Sequence, residues 1–371
     1  MKKAATWKRL RAADKRERRR LARVRVRAAA ASRKSALRAR LASIAPAQPH
    51  PDPKQSGRRV RVITPPLRLD LDENYEATIK LLRNIRFATT QLRGEMIVDL
   101  KVLEDISPAA ALLLVAECDR WREKTKAQRL NAFEVWEWTP SVRRRLKEMG
   151  FFKVLNSRNI PDDPVELGAD RYVPFLTGHR NPGVPAAELR QSIEALGPNI
   201  ADREALYEGL VEAMTNVTHH AYQSETRDFG PERWWISASV NPDRHTMTVM
   251  VVDHGVGIAK TLPRSSTWES ILKAVPLDML KYDPYIVRAA FAKDGVNKSQ
   301  TGEVHRGKGL RQNIKGYVEC HNSRGKLRVI TNKASYTYSR HNEREVEEAI
   351  SVPVPFGGTF IEWTIEDYGQ A

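Results

Sequence analysis

Three polar side chains recur at intervals of four residues in the segment EAMTNVTHHAY. They are Glu212, Asn216 and His220. Because four residues advance an α-helix by about 400°, the three side chains lie on one slowly drifting face. A carboxylate on such a face can take a proton from an attacking water, and an amide oxygen can bind Mg²⁺. A polar face of this kind can also be simply solvated, so the segment alone leaves both interpretations open.

A second segment, TMTVMVVDHGVGIAK, places a carboxylate and two glycines after an apolar run. The run is a predicted strand that ends at Asp253, and Gly255 and Gly257 follow it. A buried carboxylate at a strand end can accept a hydrogen bond from an exocyclic amine. Glycines beside it let the backbone approach a flat ligand. This combination predicts a binding site for a planar, nitrogen-rich ligand.

Two further glycine-containing segments occur later in the chain. GEVHRGKGLRQNIKGYVECHN places Gly307 and Gly309 just before a predicted helix, where backbone amides and the helix dipole favour phosphate. FGGTFIEWTI places Gly358 and Thr359 within a final predicted strand. Any one of these patterns is weak, but four of them in this order, about 40–50 residues apart, form a strong signal.

In these four segments the sequence resembles the GHKL superfamily of gyrase, heat-shock chaperone ATPases, histidine kinases and mismatch-repair ATPases. The resemblance covers residues 186–371. It implies an α/β fold of the Bergerat type, a sandwich with a mixed sheet and helices on one face. It also implies ATP as the ligand and Mg²⁺ as the cofactor.

The resemblance assigns roles to individual residues. Asp253 binds the adenine amino group, with Thr359 supporting it through water. Asn216 coordinates Mg²⁺, and Glu212 acts as general base, as in the hydrolysing members and in the anti-sigma serine kinases. Residues 259–306 form a mobile ATP lid. The remaining implied contacts, with the adenine and ribose wall and with the phosphates, are Gly255, Gly257, Gly307, Lys308, Gly309 and Leu310.

The region before these motifs, residues 59–156, has its own alternation of strands and helices. RVRVIT, EMIVDL and NAFEVWEW are predicted strands, and helices are predicted to follow the N-cap residues Asn74, Ser107 and Thr139. A proline follows each of the last two caps, at the first helical position. This order predicts a smaller α/β domain.

That domain resembles the STAS type, named for sulfate transporters and anti-sigma-factor antagonists. The likeness lies in DISPAAALLL, which follows a strand, and in the closing helix TPSVRRRLKEMGFFKVL. In phosphorylatable members a serine begins the helix after that strand. Here Pro108 holds the matching position and Ser107 precedes it, so Ser107 is expected to be a helix cap. Residues 157–185, rich in Pro, Gly and Asp, are predicted to link the two domains.

The positive charge of the chain is concentrated at its N-terminus. Of the net charge of +17, residues 1–50 contribute +15, because 17 Lys and Arg face only Asp14 and Glu17. Residues 1–58 are predicted to be a basic Ala/Arg-rich arm and a Pro-rich linker, largely disordered in isolation. Three interpretations of the arm remain open. Residues 2–42 bind nucleic acid or an acidic partner, or the arm is an organelle transit peptide, or it is a solvated extension.

Composition limits the location and the class of the protein. The longest uninterrupted apolar run, Ala109–Ala116, is far shorter than the roughly 20 residues that cross a bilayer. No signal-peptide pattern is present, and Cys118 and Cys320 form no metal or redox motif. A cytoplasmic location without membrane contact is therefore predicted, in a protein whose domain pairing indicates a bacterial regulator.

The sequence as a whole predicts a Mg²⁺-ATP-binding regulatory protein. The leading hypothesis is a slow ATPase whose lid closure switches contacts with a protein partner. The alternatives are a serine/threonine protein kinase of the anti-sigma-factor type and an ATP-gated nucleic-acid-binding regulator. Dimerisation is common in the family, so a homodimer is one expected state.

Overall fold

The computed structural model describes most of the chain after residue 59. The described residues are 60–91, 95–124, 130–132, 134–155, 160, 170–178, 183–196, 203–216, 233–265, 268–292, 310–320, 324–341 and 344–366. The chain divides into two compact units, 1–62 and 63–371. Only residues 60–62 of the first unit are described, and the predicted basic arm, 1–58, lies outside the described residues.

Short strands alternate with helices in the first part of the described chain, as the sequence predicts. The elements there are β1 (Val60–Ile63), β2 (Arg68–Leu69), α1 (Tyr75–Gln91), β3 (Glu95–Val98), β4 (Asp105–Ile106), α2 (Pro108–Lys124), β5 (Leu130–Ala132), α3 (Pro140–Glu148) and α4 (Phe151–Val154). Two parallel pairs form among them, β2 with β4 and β3 with β5. Parallel pairing is what a strand–helix–strand order produces.

The second part of the chain contributes longer strands and the remaining helices. They are β6 (Arg171–Tyr172), β7 (Leu176–Gly178), α5 (Gly183–Ala195), α6 (Arg203–Asn216), β8 (Trp234–Asn241), β9 (Thr246–Asp253), α7 (Ile258–Thr261), α8 (Trp268–Ala274), α9 (Asp283–Phe291), a π-helix (Leu310–Lys315), α10 (Gly316–Cys320), β10 (Gly325–His341) and β11 (Arg344–Glu366).

Six strands form one large sheet in the second unit. Their order is β10-β11-β9-β8-β6, and β7 also pairs with β8. The resemblance implied a mixed sheet, but all of these pairs are antiparallel. Part of the reason is the short connection through residues 242–245, because a turn of this length joins β8 to β9 only in the antiparallel sense.

The two faces of this sheet pack against different helices. Alternate residues of a strand point to opposite faces. On β9, Met247 and Val249 join a core with α5, α6, α9 and α10, whereas Met250 and Val252 join a core with α1 and α2. The N-terminal helices and the sheet therefore share a core. The core residues contributed by helices between 183 and 320 all lie on the first face, called the α6 face below.

Helix α2 begins with the cap that its sequence indicates. Ser107 Oγ accepts a hydrogen bond from Ala110 N at 3.3 Å, and Pro108 occupies the first helical position. Every residue from Ala109 to Trp121 is buried, because α2 contacts α1 as well as β8 and β9. Among the helices that the structure describes, none is long and apolar enough to cross a membrane.

The segment NAFEVWEW is only partly extended, although its residues predict a strand throughout. β5 ends at Ala132, and Val135–Glu137 forms a 3₁₀-helix. Between them Glu134 adopts the left-handed conformation, with φ of 46°, and its buried carboxylate pairs with Lys101. The left-handed residue turns the chain out of the strand, and the ion pair stabilises the turn.

The predicted linker contains regular structure. Within residues 157–185, β6 and β7 both pair with β8, so this segment contributes strands to the large sheet. Ser237 Oγ on β8 donates to Val173 O at 2.7 Å, which further attaches the segment to the sheet. The Pro, Gly and Asp content predicted a connection but carried no information about this pairing.

The segment predicted as a mobile lid, 259–306, is helical over most of its described length. Helices α7, α8 and α9 lie between residues 258 and 291. The side chains of Val287 and Phe291 are fully buried, and the Phe291 ring stacks on that of Tyr336 at 4.6 Å. Burial of these apolar side chains makes the segment part of the core. Residues 293–306 lie outside the described residues.

Candidate functional site

A buried carboxylate lies at the end of β9. Asp253 alternates with Val249 and Val251 and therefore lies on the α6 face. Gly255 N donates to Asp253 Oδ1 at 2.6 Å. Thr359 is its register partner, and the backbones of the two residues pair between β11 and β9. Burial raises the pKa of Asp253 to about 6, although hydrogen bonding lowers it. At neutral pH the group is an ionised acceptor in a poorly solvated place.

Asp253 and Thr359 are called the strand-end pair below. The resemblance implies that Thr359 supports the carboxylate through water, and this stays a prediction. The register brings the two residues together, because the side chains of paired residues on adjacent strands lie about 5 Å apart on the same face.

Two glycines beside the strand-end pair have conformations that other residues rarely adopt. Gly257 has φ of 87°, and a Cβ there would overlap the Asn332 amide and lie 2.7 Å from Thr331 Oγ1. Gly358 has φ of 122°, and a Cβ there would overlap the carbonyl of Asp253. Both positions therefore require glycine, which brings three backbone segments close together.

Two residues of β10 hold this turn, and the sequence analysis did not identify them. Thr331 Oγ1 accepts from Ile258 N at 2.9 Å and donates to Gly358 O at 3.2 Å. Asn332 Nδ2 donates to Val256 O at 2.6 Å. Asn332 is left-handed, with φ of 50°, at a register shift between β10 and β11. Asn tolerates that conformation, so an Asn inside an otherwise alternating strand was the available signal.

Helix α6 carries the Glu212–Asn216 pair that the four-residue spacing predicts. Asn216 Nδ2 donates to Glu212 Oε1 at 3.1 Å, and both side chains are half-buried. Because the amide nitrogen is directed at Glu212, the amide oxygen is directed away from it and suits a Mg²⁺ ion. Residues 217–232, which include His220, lie outside the described residues.

The surroundings of α6 join the other predicted motifs to the same face. The helix contacts β9, and a Cβ at its Gly209 would lie 3.0 Å from Asn313 O of the π-helix. Trp363 Nε1 on β11 donates to Ile314 O at 2.8 Å, which attaches the π-helix to the sheet. Leu310, half-buried, begins that helix. Gly307, Lys308 and Gly309 lie outside the described residues.

The described site therefore has two polar groups on one face of the sheet. The first consists of the strand-end pair with Gly255 and Gly257, in which the buried carboxylate can accept a hydrogen bond from an amine. The second consists of Glu212 and Asn216 on the helix that packs over β9, which can hold a metal and accept a proton. Within the described residues, no three His, Cys, Asp or Glu side chains are grouped as they would be around a metal ion.

The comparisons with known proteins give no family for this chain, so a proposed function depends on the chemistry of the site. The sequence matches no protein-family model and no curated protein.

Proposed function

We propose that this protein binds Mg²⁺-ATP on the α6 face of its sheet and hydrolyses it slowly, and that bound nucleotide changes its contacts with a protein partner. The burial of the Asp253 carboxylate at the end of β9 is the observation that carries the proposal. A carboxylate kept buried at a strand end, between glycines, costs stability and is typical of a binding site. The resemblance of residues 186–371 to GHKL proteins, with its Bergerat fold, supports the same ligand.

The strand-end pair is proposed to bind adenine. The base carries an exocyclic amino group beside ring nitrogens, and an ionised carboxylate accepts from that amine. Gly255 is only partly buried and carries no side chain, so the flat base lies against its backbone. The Thr359 hydroxyl, on the residue opposite Asp253, is proposed to support the carboxylate.

Asn216 is proposed to hold Mg²⁺ through its amide oxygen, with phosphate oxygens and water completing the coordination. When bound, the ion offsets the charge of the phosphates and holds them in line for transfer. Gly307, Lys308, Gly309 and Leu310 are proposed to contact the phosphates at the start of the π-helix, where backbone amides and a lysine ammonium favour anions.

Glu212 is proposed to act as the general base. Its carboxylate accepts the proton of the attacking water, and the 3.1 Å hydrogen bond from Asn216 fixes its orientation next to the metal ligand. The half-buried position of Glu212 suits this role, because it leaves the carboxylate accessible to water.

Glu212 serves a second candidate function equally well. The same base can activate a serine or threonine hydroxyl, as in the anti-sigma serine kinases. The helices of the region that resembles STAS domains share a core with the sheet, which supports a regulatory role for that region. A third candidate, an ATP-gated nucleic-acid regulator, depends on the basic arm.

Incubation of the full chain with Mg²⁺ and ATP labelled at the γ-phosphate tests the proposal. Label recovered as free phosphate supports hydrolysis, and label recovered on a protein serine or threonine supports the kinase function. Label that stays entirely in ATP contradicts both enzymatic functions. Salt-sensitive binding of nucleic acid that disappears on deletion of residues 2–42 would identify the third function.

A further inference from the structure

Two charged residues of the N-terminal helices contact the strand ends from the opposite face of the sheet. Arg86 on α1 donates from Nη1 to Gly357 O at 3.0 Å. Glu117 on α2 places Oε1 3.3 Å from His254 Nε2. Gly357 and His254 each lie within two residues of the strand-end pair, so both strand ends that form the candidate site are attached to α1 and α2.

One ion network joins these two contacts. Arg86 Nε donates to Glu117 Oε1 at 2.9 Å, and Arg120 Nη1 lies 3.5 Å from the other carboxylate oxygen. Burial opposes ionisation of Glu117, but the charges around it, Arg86 foremost, lower its pKa to about 2. Burial and the two arginines hold the pKa of His254 well below its usual value, so the imidazole is neutral. Glu117 is thus ionised at neutral pH and holds Arg86 in place.

We propose that Arg86 and Glu117 are positioning residues that hold the strand-end pair in the geometry that binds adenine, so that α1 and α2 set the affinity of the site. This inference rests on the proposed function. The segment at Gly357 and Gly358 has little conformational preference of its own, because glycine restricts the backbone least. A fixed donor at Gly357 O therefore limits where Thr359 lies.

An ion network that only stabilises the fold would change the free energy of unfolding but not the pH dependence of nucleotide binding. Burial raises the pKa of Asp253, and the charge of Arg86 is one of the causes that lower it. The pH below which nucleotide binding is lost is therefore a readout of Arg86 at the site itself. Arg86 on α1 is the charged group that lowers the pKa of Asp253. Glu117, which pairs with Arg86 and Arg120, and the neutral His254 lie on the same side of the sheet, and Glu212 lies on α6, which contacts β9 from the other side.

The experiment is a calorimetric titration of Mg²⁺-ATP into the full chain at a series of pH values. Arg86→Met removes the donor and the charge. Gly357→Ala keeps every charge but displaces Arg86, because a Cβ at this position would overlap Arg86 Nη1. Arg83→Met is the matched control, since Arg83 is an exposed arginine one turn earlier on α1. Asp253→Asn and thermal unfolding of each variant complete the set.

Arg86→Met is expected to weaken binding about tenfold, the effect of one hydrogen bond to a charged group. It is also expected to raise the midpoint pH of binding by less than about one unit, because the charge of Arg86 has the smallest effect among the causes that lower the pKa of Asp253. Gly357→Ala weakens binding in the same direction, and Arg83→Met matches the wild type in both measurements. Because the protonation of ATP is the same in every experiment, a difference between variants in the midpoint pH of binding arises from the protein.

Equal affinities and equal pH midpoints in the wild type, Arg86→Met and Gly357→Ala would overturn the positioning role. If binding is still lost in Asp253→Asn, the proposed function survives that result. A wild type that binds no Mg²⁺-ATP would overturn the proposed function and this inference with it. If Arg86→Met does not fold, the affinity and pH midpoint of Gly357→Ala test the positioning role, because that variant keeps every charged group of the ion network.

Discussion

Thr359 lies directly opposite Asp253 in the register of β11 and β9, so the two side chains lie side by side on the α6 face of the sheet. The Asp253 carboxylate accepts a hydrogen bond from Gly255 N. Hydrogen bonding lowers the pKa of Asp253 but does not cancel the effect of burial, so the value stays near 6. At neutral pH the folded protein therefore contains Asp253 in its ionised form, although the protonated form would cost less free energy in this buried position.

Asp253→Asn is expected to raise the free energy of unfolding at pH 8. The pKa of Asp253 is raised from 3.8 to about 6 on folding, which corresponds to a cost of about 3 kcal/mol when both states are ionised. That cost is complete above pH 6 and disappears as the pH falls from 6 to 3.8, so the gain in the variant should shrink over this range. Urea unfolding at pH 8 and at pH 4.5 measures both values.

Asp243→Asn is the control for this prediction, because Asp243 is exposed in the turn between β8 and β9. Its change in unfolding free energy should stay within about 0.5 kcal/mol at either pH. A destabilised Asp253→Asn at pH 8 would mean that the carboxylate is a structural group, which contradicts the proposed site.

Glu212→Gln is expected to retain Mg²⁺-ATP binding and to lose phosphate release by a factor of about 10² to 10⁴, because a glutamine cannot accept the proton of water. Glutamine still accepts the hydrogen bond from Asn216, so the geometry of α6 is kept. The measurement is steady-state phosphate release at saturating ATP. Glu208→Gln, on an exposed position one turn earlier, should release phosphate at the wild-type rate.

Gly257→Ala is expected to lower the free energy of unfolding by about 3 kcal/mol or more, because the backbone is left-handed and a Cβ would overlap Asn332. Chemical unfolding measures the loss. Gly316→Ala serves for comparison, since the nearest atom to a Cβ there is 3.7 Å away and the residue begins α10. That variant should be unchanged or stabilised by up to about 1 kcal/mol. Similar stabilities of the two variants would contradict the described turn.

Glu117→Gln is expected to destabilise the protein by about 3 kcal/mol at pH 7. The pKa of Glu117 falls from 4.5 to about 2 on folding, so the ionised carboxylate contributes stability that is fully present above pH 4.5 and is lost as the pH falls to 2. The difference between variant and wild type should therefore narrow in urea titrations below pH 4.5.

Glu76→Gln provides the contrast for the acid titration. Glu76 forms an exposed ion pair with Lys80 one turn along α1, and such pairs contribute about 0–1 kcal/mol. Its effect should be small at every pH. A Glu117→Gln variant as stable as wild type at pH 7 would show that the buried network contributes nothing to the folded state.

The local parts of the candidate site could be read from the sequence. The spacing of Glu212 and Asn216 predicts their contact because helix geometry is regular. Asp253 ends its strand as predicted, because four consecutive apolar residues precede it and a glycine-containing turn follows. Ser107 caps its helix for the same kind of reason, since capping depends only on residues within one turn.

The long-range parts could not be read in this way. Glu117 and Arg120 stand among charged residues near the middle of α2 and are typical of a solvated face in sequence, yet both are buried. Their burial depends on the packing of α2 against strands more than 100 residues later. The contact between Arg86 and Gly357 and the turn held by Thr331 are likewise set by tertiary packing, for which one sequence carries no periodic signal.

Calorimetric titration of Mg²⁺-ATP into the wild-type chain and into Asp253→Asn at pH 8 tests the central claim most directly. Saturable binding to the wild type with a stoichiometry of about one per chain, and no detectable binding to a folded Asp253→Asn, is the predicted result. Equal binding by the two proteins, or none by the wild type, would contradict an adenine site at Asp253.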